Sequence, residues 1–486
     1  MGEECKRGCR HTKKSSVIQK KFFGKTLLVL GSNVGAADIA AYAKENGARV
    51  IVADYYPPEK SSAKRMADEH FLISTADLEH LSKLAEEHHV DGVLSGISEF
   101  NLLQAMALAE KHRLPFYCNR KQWDSIEKKD EFRRLCEEYH VPCPKLYYTG
   151  GELAEHDWDK IKFPAVLKPV DASASSGVHI CSNADEMKSL VGDALNKSDS
   201  RHIIVEEFVG GEEFTAHYTI VHGKAALSCM DNRYPVAVHE GKVTTIPAAR
   251  IYPCVYLEEY IRQVNPAMIR LCEGLGMETG ILFIQGLYDE KKNRFHIFEA
   301  GLRSAGEAPY RFIDKINGQN AMRLLVDNAL SDEQGYALEA EDPYLKGKCC
   351  GVVSFVARGG KVGGIAGLEE AVAATPSVIE YESRYPVGSI VPDGDTLRQL
   401  MIRFVMICDS REQMAKNVKY LNENITVVDD KGENMVIKID PERICPGQSG
   451  GGYYKCLILH HPRVFDFHVC GRICRAVSAG KRLAAA

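Results

Sequence analysis

Lys168, at the end of an apolar segment, is the first residue in this sequence that suggests chemistry. It lies in the run FPAVLKPV, and the loop that follows consists mainly of small residues, including Ser173, Ser175, Ser176 and Gly177. Small residues let backbone amides approach an anion closely, and successive amides can form a nest for a phosphate beside the lysine charge. The segment predicts a phosphate-binding loop. A surface lysine before a flexible turn is the alternative.

A pair of acids ends a second apolar segment about forty residues later. In IIVEEFVGGEEF, Glu206 and Glu207 come at the strand end, Val209 follows, and Glu213 lies a few residues further on. Groups at such a strand end could contact the edge of an adenine, and Glu213 would lie within reach of a ribose diol. Acids at strand ends are more often simply solvated, and this alternative stays open for each of them.

A glutamate and an arginine follow a third apolar segment. In RFHIFEAGLRSAGE, Glu299 ends the strand and Arg303 comes four residues later. A carboxylate can hold Mg²⁺ against phosphate oxygens, and a guanidinium group can neutralise charge on a group in transfer. A structural ion pair between the two side chains is the alternative.

The elements that must position these residues begin with a repeated β-α-β pattern from Lys25. Apolar runs such as TLLVL, RVIVAD, GVLSG and LPFYC alternate with amphipathic stretches, and the runs show little polar alternation, as in strands buried on both faces. Gly47 falls where a helix would stop and Asp77 where one would start. An open, mainly parallel sheet is predicted for residues 25–119.

A different rhythm follows from about residue 120. A charged helical stretch, SIEKKDEFRRLCEEYH, precedes a proline-bounded break at Val141–Pro144, and the strands after it have richer turns. DEKKN predicts a hairpin between ILFIQGLYD and RFHIFEAGL. A helical stretch near Gly318–Ala329 closes this mixed region, which we place at residues 120–335.

The remaining residues are predicted to form a smaller C-terminal module and two poorly ordered ends. Strand and helix patterns alternate again in residues 336–440. Residues 441–486 show no clear period and collect Cys, His and basic residues, without a spacing typical of a zinc site. We expect this appendage and the N-terminal extension, residues 1–24, to be poorly ordered.

Composition alone names no function, but the charge fits a small-molecule substrate, and we expect a cytosolic protein. The net charge of −5 gives no reason to expect nucleic acid or an anionic membrane as a partner. No apolar run approaches the roughly 20 residues of a spanning helix, and the basic N-terminus lacks the apolar core of an export signal. The 16 cysteines are scattered, many in apolar runs, which favours reduced core thiols over a disulfide framework.

The order of the three segments, from lysine and small-residue loop to acidic strand end to strand Glu with Arg, resembles the ATP-grasp superfamily. The resemblance covers roughly residues 25–439. The C-terminal module is similar to that of the carboxylate-amine or L-amino-acid ligase branch. The resemblance implies an α/β and α+β architecture. A Rossmann-like pre-ATP-grasp domain would be followed by a two-subdomain ATP-grasp fold and a small C-terminal α+β module. A homodimer is a further implication.

The resemblance also implies roles for individual residues. Lys129, in EKKDEF beside Phe132, matches the family's first nucleotide-binding lysine. Carried over by position, the ATP-binding residues are Lys129, Lys168, Ser173, Ser175, Ser176, Gly177, Glu206, Glu207, Val209 and Glu213. Glu299 would ligate Mg²⁺, with Mn²⁺ as a substitute metal, and Arg303 would stabilise an acyl phosphate. Catalysis would depend on Arg303 and Lys168.

Two positions depart from the family pattern. Gln285, in ILFIQGL, stands where the family usually has a second metal-binding carboxylate, and Gly301 replaces the usual Asn between Glu299 and Arg303. Glutamine can ligate Mg²⁺ through its carbonyl oxygen but brings no charge. We therefore expect either one tight metal or a weakly held second one at Glu299 and Gln285.

The resemblance implies an ATP-dependent ligase that activates a small carboxylate as an acyl phosphate and joins it to an amine. Arg233, His239 and Arg250, in the segment 231–250, are candidates to bind the substrate carboxylate, and solvated loop residues are the alternative for each. The acid and the amine cannot be identified from the sequence.

Two other functions are compatible with the sequence. The turn LVLGSNVGAADIA, with Asp54 at the end of the next strand, suggests an NAD-dependent oxidoreductase, but it lacks the full G-x-G-x-x-G spacing. Alternatively, Gln285 and Gly301 are traces of decay in an ATP-binding sensor or scaffold that has lost turnover.

Overall fold

The computed structural model describes residues 20–172, 176–238, 246–331, 335–394 and 396–445. These residues fall into two compact units. The first comprises the chain up to Phe116 together with Leu325–Gln334, and the second comprises Tyr117–Leu324 and the chain from Gly335 onward.

The first unit is built on a parallel sheet with strand order β3-β2-β1-β4. Its strands are β1 (Thr26–Leu30), β2 (Arg49–Ala53), β3 (Glu69–Phe71) and β4 (Gly92–Ser95), and its helices are α1 (Ala36–Glu45), α2 (Ser62–Met66), α3 (Leu78–Glu87) and α4 (Glu99–His112). Every residue of β1 and β4 is buried, as expected for strands covered on both faces. The predicted open parallel sheet is confirmed.

The helix boundaries in this unit follow from capping residues. Asp77 accepts a hydrogen bond from the backbone amide of His80 at the start of α3, and Gly47 takes a φ of +94° just after α1. Both predicted boundaries are confirmed. The run LPFYC was expected to be a strand and is not, since residues 114–118 form no sheet pairing.

A distant part of the chain completes the first unit. Asp327 contacts Lys21 Nζ at 2.8 Å and Tyr42 Oη at 3.0 Å. A Cβ added at Gly92 would lie 2.8 Å from the carbonyl oxygen of Ala329, so only glycine allows this close approach to β4. Phe22, within the expected N-terminal extension, is fully buried.

The second unit begins with helices and an antiparallel sheet, the small sheet, with strand order β5-β8-β6-β7. Its elements are α5 (Arg120–Glu127), α6 (Lys129–Glu138), β5 (Leu146–Gly150), α7 (Glu155–Trp158), β6 (Ala165–Pro169), β7 (His179–Cys181), α8 (Ala184–Asn196) and β8 (Ile203–Glu207). The predicted helical stretch is interrupted at Lys128, whose extended backbone separates α5 from α6.

A larger antiparallel sheet, the large sheet, has the order β13-β12-β9-β10-β11-β14-β18-β16, with β20 beside β14. The strands are β9 (Glu212–Val221), β10 (Lys224–Val236), β11 (Ile246–Tyr252), β12 (Thr279–Asp289), β13 (Arg294–Gly301), β14 (Cys349–Ala357), β16 (Val378–Ser383), β18 (Leu400–Cys408) and β20 (Val436–Ile437). A separate sheet pairs β17 (Ile390–Val391), β15 (Gly360–Ala366) and β19 (Thr426–Asp429). The predicted hairpin at DEKKN joins β12 to β13.

Helices cover the remainder of the chain. They are α9 (Leu257–Gln263), α10 (Asn265–Gly274), α11 (Tyr310–Asn317), α12 (Ala321–Leu330), α13 (Leu368–Ala373) and α14 (Arg411–Asn424). Through β11 and β14, strands of the expected C-terminal module continue the large sheet. The cysteines in the described residues are free, and most are buried, which confirms the prediction of reduced core thiols for this part of the chain.

Candidate active site

A row of polar side chains crosses one face of the large sheet. In the strand register, Thr215 of β9 pairs with Asp231 of β10 on one side and with Gln285 of β12 on the other, and Gln285 pairs with Glu299 of β13. Residues opposite each other in neighbouring strands point to the same face. The two predicted metal ligands therefore lie side by side in this polar row.

Arg303 is held next to the polar row by an aromatic ring. Its guanidinium carbon lies 4.7 Å from the centroid of Phe283, and Nη1 donates to the carbonyl oxygen of Ser304 at 3.3 Å. Phe283 precedes Gln285 by two residues on β12 and so faces the same side of the sheet. Stacking on an aromatic face orients a planar cation, so Arg303 is preorganised beside Glu299 and Gln285.

The phenylalanine also explains the glycine at position 301. Phe283 pairs with Gly301 in the register, and a Cβ added at Gly301 would lie 2.5 Å from Phe283 Cε1 and 3.1 Å from Glu127 Oε1. An asparagine at position 301 would therefore collide with the ring that supports Arg303. The departure from the family pattern is a consequence of how this site is packed.

A buried charge cluster lies beside the row. Arg250 is 5% exposed, its Nε lies 2.7 Å from Glu307 Oε1, and its Nη1 lies 3.0 Å from Asp231 Oδ2. Burial alone would lower the pKa of Arg250, but Glu307 and Asp231 raise it above its ordinary value. Burial opposes ionisation of Glu307, yet Arg250 and Arg403 hold the pKa of Glu307 below its usual value.

Asp231 behaves differently from Glu307 because, among the described residues, Arg250 is its one arginine partner and the charge of Glu307 opposes its ionisation. Its side chain has no exposure, and burial raises the pKa of Asp231 despite the charge of Arg250. Sequence reasoning missed both carboxylates. Glu307 stood within the quoted motif RFHIFEAGLRSAGE, four residues after Arg303, and its acidic side chain was the signal available.

His217 adds a neutral group to the same face. It follows Thr215 by two residues on β9, is 6% exposed, and pairs with Phe283 in the register. Burial lowers the pKa of His217 to about 3, so the imidazole is uncharged near neutral pH. Within the described residues, its Nε2 has no hydrogen-bond partner. Sequence reasoning missed this residue, which stands in an apolar run.

The predicted phosphate-binding lysines lie around the small sheet of the second unit. Lys168, on β6, is 6% exposed, and its Nζ donates to Glu206 Oε1 of β8 at 2.5 Å. Arg133 Nη1 lies 3.6 Å from the second oxygen of Glu206. Lys129, at the start of α6, donates from Nζ to the carbonyl oxygen of Ala172 at 2.6 Å. Lys129 thus contacts the loop that Lys168 precedes.

The end of that loop is turned tightly against β6. Gly177 has a φ of +72°, and a Cβ added there would lie 2.8 Å from Pro169 Cγ. Ser176 is exposed. Ser173 and Ser175 lie outside the described residues.

The remaining nucleotide candidates follow β8. Glu207 is half-buried, and its backbone amide donates a hydrogen bond to the carbonyl oxygen of Lys145 at 2.8 Å. Val209 is 7% exposed. Glu213, predicted at the ribose, forms an ion pair with Arg233, which was predicted at the substrate.

Two of the three candidate substrate ligands lie on strands. Arg233 belongs to β10 and Arg250 to β11, directly opposite each other in the register. The alternative of solvated loop residues is wrong for both, because each guanidinium group is engaged with a carboxylate. His239 lies outside the described residues.

The residues present suit a cation that takes most of its ligands from water and substrate rather than from the protein. Among the described residues, no group of three or more His, Cys, Asp or Glu side chains could enclose a metal ion. Mg²⁺ is usually bound by one or two carboxylates together with water and substrate phosphates. Glu299 with the amide oxygen of Gln285 fits that pattern.

Asp54, the acid that a dinucleotide site in the first unit would need, is already hydrogen-bonded within the protein. Asp54 is 3% exposed, and its Oδ1 accepts a hydrogen bond from the backbone amide of Tyr56 at 3.0 Å. The buried ammonium group of Lys64 donates to the carbonyl oxygen of Asp54 at 2.7 Å. A ribose-binding acid must present its carboxylate to the ligand, so this geometry disfavours the oxidoreductase alternative.

Comparisons with known proteins identify a domain in this part of the chain. Residues 161–306 match the ATP-grasp domain family, and this range includes Lys168, Glu206, Gln285, Glu299 and Arg303. The chain therefore carries an ATP-grasp domain, and the resemblance predicted from the sequence is confirmed. No helix in the described part of the chain is long and apolar enough to cross a membrane.

Individual relatives extend the likeness beyond that domain. The chain is 24% identical over 319 residues to the N-terminal section of the carbamoyl phosphate synthase large chain of Methanopyrus kandleri, a match that covers 62% of this chain and 56% of the relative. The chain thus spans little more than half the length of that curated relative.

Solved structures share the fold over most of the chain. An L-amino acid ligase from Bacillus licheniformis has a TM-score of 0.68 at 18% identity, covering 84% of this chain and 99% of the ligase. The biotin carboxylase domain of a 2-oxoglutarate carboxylase from Hydrogenobacter thermophilus, solved as a dimer with MgADP, ADP and bicarbonate, has a TM-score of 0.66 at 15% identity, covering 86% and 92%. The predicted mixed α/β and α+β architecture is confirmed.

Proposed function

We propose that this protein is an ATP- and Mg²⁺-dependent ligase that converts a small carboxylate into an acyl phosphate and then joins it to an amine. The observation that carries the proposal is the pairing of Gln285 with Glu299 beside the ring-supported Arg303, all within an ATP-grasp domain. This arrangement offers oxygen ligands for a hard cation and a fixed positive charge next to them.

The nucleotide would bind along the small sheet. Lys129 and Lys168 would contact the phosphates, and the loop containing Ser173, Ser175, Ser176 and Gly177 would cover them. Lys168 supports this role because its buried ammonium group carries three donors and is held in position by Glu206. Glu206, Glu207 and Val209 would line the adenine pocket, with Glu213 at the ribose.

Glu299 would hold Mg²⁺, and Gln285 would add a neutral oxygen ligand. When bound, the metal supplies positive charge to the phosphate oxygens. Mn²⁺ has similar ligand preferences and is the substitute metal we expect to support activity.

The chemistry needs positioning and charge more than covalent help from the protein. A carboxylate oxygen of the substrate attacks the γ-phosphorus of ATP, the bond to the ADP oxygen breaks, and ADP leaves. The amine then attacks the acyl carbon, loses a proton, and expels phosphate as the C–N bond forms. Arg303 would neutralise charge on the phosphoryl group during the first step and on the departing phosphate during the second.

The two candidate arginines on β10 and β11 are already paired with carboxylates of the protein. Arg233 is paired with Glu213, and Arg250 with Glu307 and Asp231, so each would have to exchange a protein carboxylate for the substrate. We therefore expect Arg233 and Arg250 to shape the site, with His239 still a candidate ligand. Homodimer formation stays a prediction.

The test is ADP release by the purified protein with Mg²⁺ and ATP, screened against pools of amino acids and other small carboxylates. Mass spectrometry would identify condensed products. ADP release that depends on the pool and yields a condensed product supports the ligase. ATP binding without any pool-dependent turnover contradicts it and favours the sensor or scaffold.

A further inference from the structure

The loop that carries Arg303 is fixed through the backbone of the residue before it. Leu302 is fully buried, its carbonyl oxygen accepts a hydrogen bond from Tyr117 Oη at 2.8 Å, and its backbone amide donates to Glu127 Oε1 at 3.2 Å. Buried main-chain groups need partners, and here both partners are side chains from a distant part of the sequence. Because Arg303 is the next residue, any movement of this peptide moves the guanidinium group with it.

The two side chains come from a fixed part of the second unit. Tyr117 is 4% exposed and precedes α5, and Glu127 is the last residue of that helix. The helix begins at a capping box, in which the side chains of Asn119 and Gln122 each accept a hydrogen bond from the other residue's backbone amide. Gln122 Nε2 also donates to the carbonyl oxygen of Leu275 at 3.0 Å. Helix α5 therefore presents its terminal carboxylate from a defined position.

Burial and charge favour the same arrangement. Burial raises the pKa of Tyr117 well above its ordinary value, although the nearby charge of Arg303 opposes that rise. The phenol group therefore keeps its proton and stays a hydrogen-bond donor at physiological pH. A Cβ added at Gly301 would lie only 3.1 Å from Glu127 Oε1, so glycine at this position leaves room for the carboxylate.

The same stretch of main chain also reaches the predicted phosphate-binding loop. Lys129 follows Glu127 by two residues, and its backbone amide donates to the carbonyl oxygen of Val170 at 3.3 Å. Its Nζ donates to the carbonyl oxygen of Ala172 at 2.6 Å. The position of a predicted phosphate ligand and the position of the arginine loop are thus related through two residues of backbone.

We infer that Tyr117 and Glu127 are positioning residues for Arg303. Together they hold the Leu302 peptide in the orientation that places the guanidinium group over the ring of Phe283. The inference rests on the proposed function for the reaction in which Arg303 acts. Neither side chain has to touch the substrate, because a misplacement of about 1 Å in a reacting group can already cost about 10²-fold in rate.

The first test is steady-state ADP release by the full chain, with the substrates found in the pool screen. Tyr117→Phe keeps the ring but loses the donor, and we expect kcat to fall about tenfold. Glu127→Ala should lower kcat about 10²-fold, whereas Glu127→Gln keeps an acceptor oxygen for the amide of Leu302 and should stay within about threefold of wild type. KM for ATP should change by less than about threefold in all three variants, because they alter an interaction that acts in the transition state.

Two matched controls remove similar hydrogen bonds from other loops. Tyr385→Phe removes a hydroxyl group that donates to the carbonyl oxygen of Arg398 at 2.9 Å. Glu186→Ala removes a carboxylate that accepts from the backbone amide of Ser182 at 2.8 Å. Both variants should leave kcat within about twofold, since neither hydrogen bond involves the arginine loop. Thermal melts identify any variant that fails to fold.

A double-mutant cycle shows whether the carboxylate acts through Arg303. In the Arg303→Ala protein the guanidinium group is already gone, so adding Glu127→Ala should lower kcat by less than about twofold further. A merely structural role would give the same loss with and without the guanidinium group, and that result would overturn the inference. Equal losses for Glu127→Ala and Glu127→Gln would also overturn it, because the glutamine keeps the acceptor.

Amide hydrogen exchange tests the clamp without turnover. Peptides that contain Leu302 should exchange faster in Glu127→Ala than in wild type, and Glu127→Gln should restore the slow exchange. Unchanged exchange in Glu127→Ala would overturn the inference even if the protein is a ligase. A wild-type protein that releases no ADP with any pool rejects the proposed function, and the exchange result then decides by itself whether the clamp holds the loop.

Discussion

Replacing Arg303 by alanine should reduce turnover by about 10²- to 10³-fold. The guanidinium group is held 4.7 Å above the ring of Phe283 and contacts Ser304, so its charge is already in place before reaction begins. Removal of one preorganised donor from such a site typically costs about 2.7–4 kcal/mol of transition-state stabilisation, which corresponds to that loss of rate. Affinity for ATP should change little, since Lys129 and Lys168 are the predicted phosphate ligands in the ground state.

The assay is steady-state ADP release at saturating ATP with the substrates identified from the pools. Arg303→Lys keeps the charge but loses the planar group that stacks on Phe283, so we expect an intermediate loss of about tenfold. The control is Arg120→Ala, which removes an exposed arginine paired with Asp124 at 2.8 Å and should leave turnover within about twofold.

A small effect would refute the reasoning. If Arg303→Ala and Lys168→Ala each lowered turnover by less than about tenfold, neither residue would stabilise the transferring phosphoryl group, and the assigned site would be wrong. A large loss for Arg120→Ala would show that arginine removal harms the fold in general.

Three further predictions follow from buried or paired groups. Lys168→Ala should lower the free energy of unfolding by about 3 kcal/mol, because the buried carboxylate of Glu206 then keeps only the longer contact to Arg133. Urea unfolding should show part of that loss recovered in the double variant with Glu206→Ala, and losses that simply add would contradict the pairing. Gln285→Glu places two carboxylates opposite each other, so thermal melts without Mg²⁺ should show a lower melting temperature than wild type. With ADP present, Mg²⁺ should raise the melting temperature of this variant by more than it raises that of wild type. The exposed control Gln263→Glu should show neither change. The pKa of His217 is lowered to about 3 in the folded protein, so only the unfolded chain binds a proton at this residue as pH falls below about 6.5. The free energy of unfolding should therefore drop by about 2 kcal/mol between pH 7.5 and 5. His217→Gln should flatten that part of the profile, and an unchanged slope would disprove the assignment.

Local chemistry explains what the sequence predicted correctly. The parallel strands, the cap at Asp77, the stop at Gly47 and the hairpin between β12 and β13 all depend on residues close together in the chain. The order of Lys168, Glu206 and Glu299 was also sufficient to predict an ATP-grasp domain. These features need no knowledge of how distant strands pair.

Long-range pairing explains what the sequence did not reveal. Arg250 was read as a loop residue or a substrate ligand, because its partner Glu307 lies far along the chain and Asp231 on a neighbouring strand. From the sequence, Gly301 is a departure from the family pattern and, in the sensor alternative, a trace of decay; the register shows instead that it lies against Phe283. LPFYC has the composition of a strand, but no strand pairs with it, which illustrates how tertiary context overrides an apolar run.

The return of Leu325–Gln334 to the first unit has a consequence for synthesis on the ribosome. The ribosome translates β4 long before the segment that packs against it at Gly92. The same holds for Lys21 and Tyr42, which are the partners of Asp327 in that segment. Roughly 200 residues must be added in between, which takes about 10–40 s at about 5–20 residues per second. During that interval the nascent N-terminal unit exposes an unfinished apolar face, so a fragment ending at Phe116 should need a chaperone, or the missing helix supplied as a separate peptide, to stay in solution.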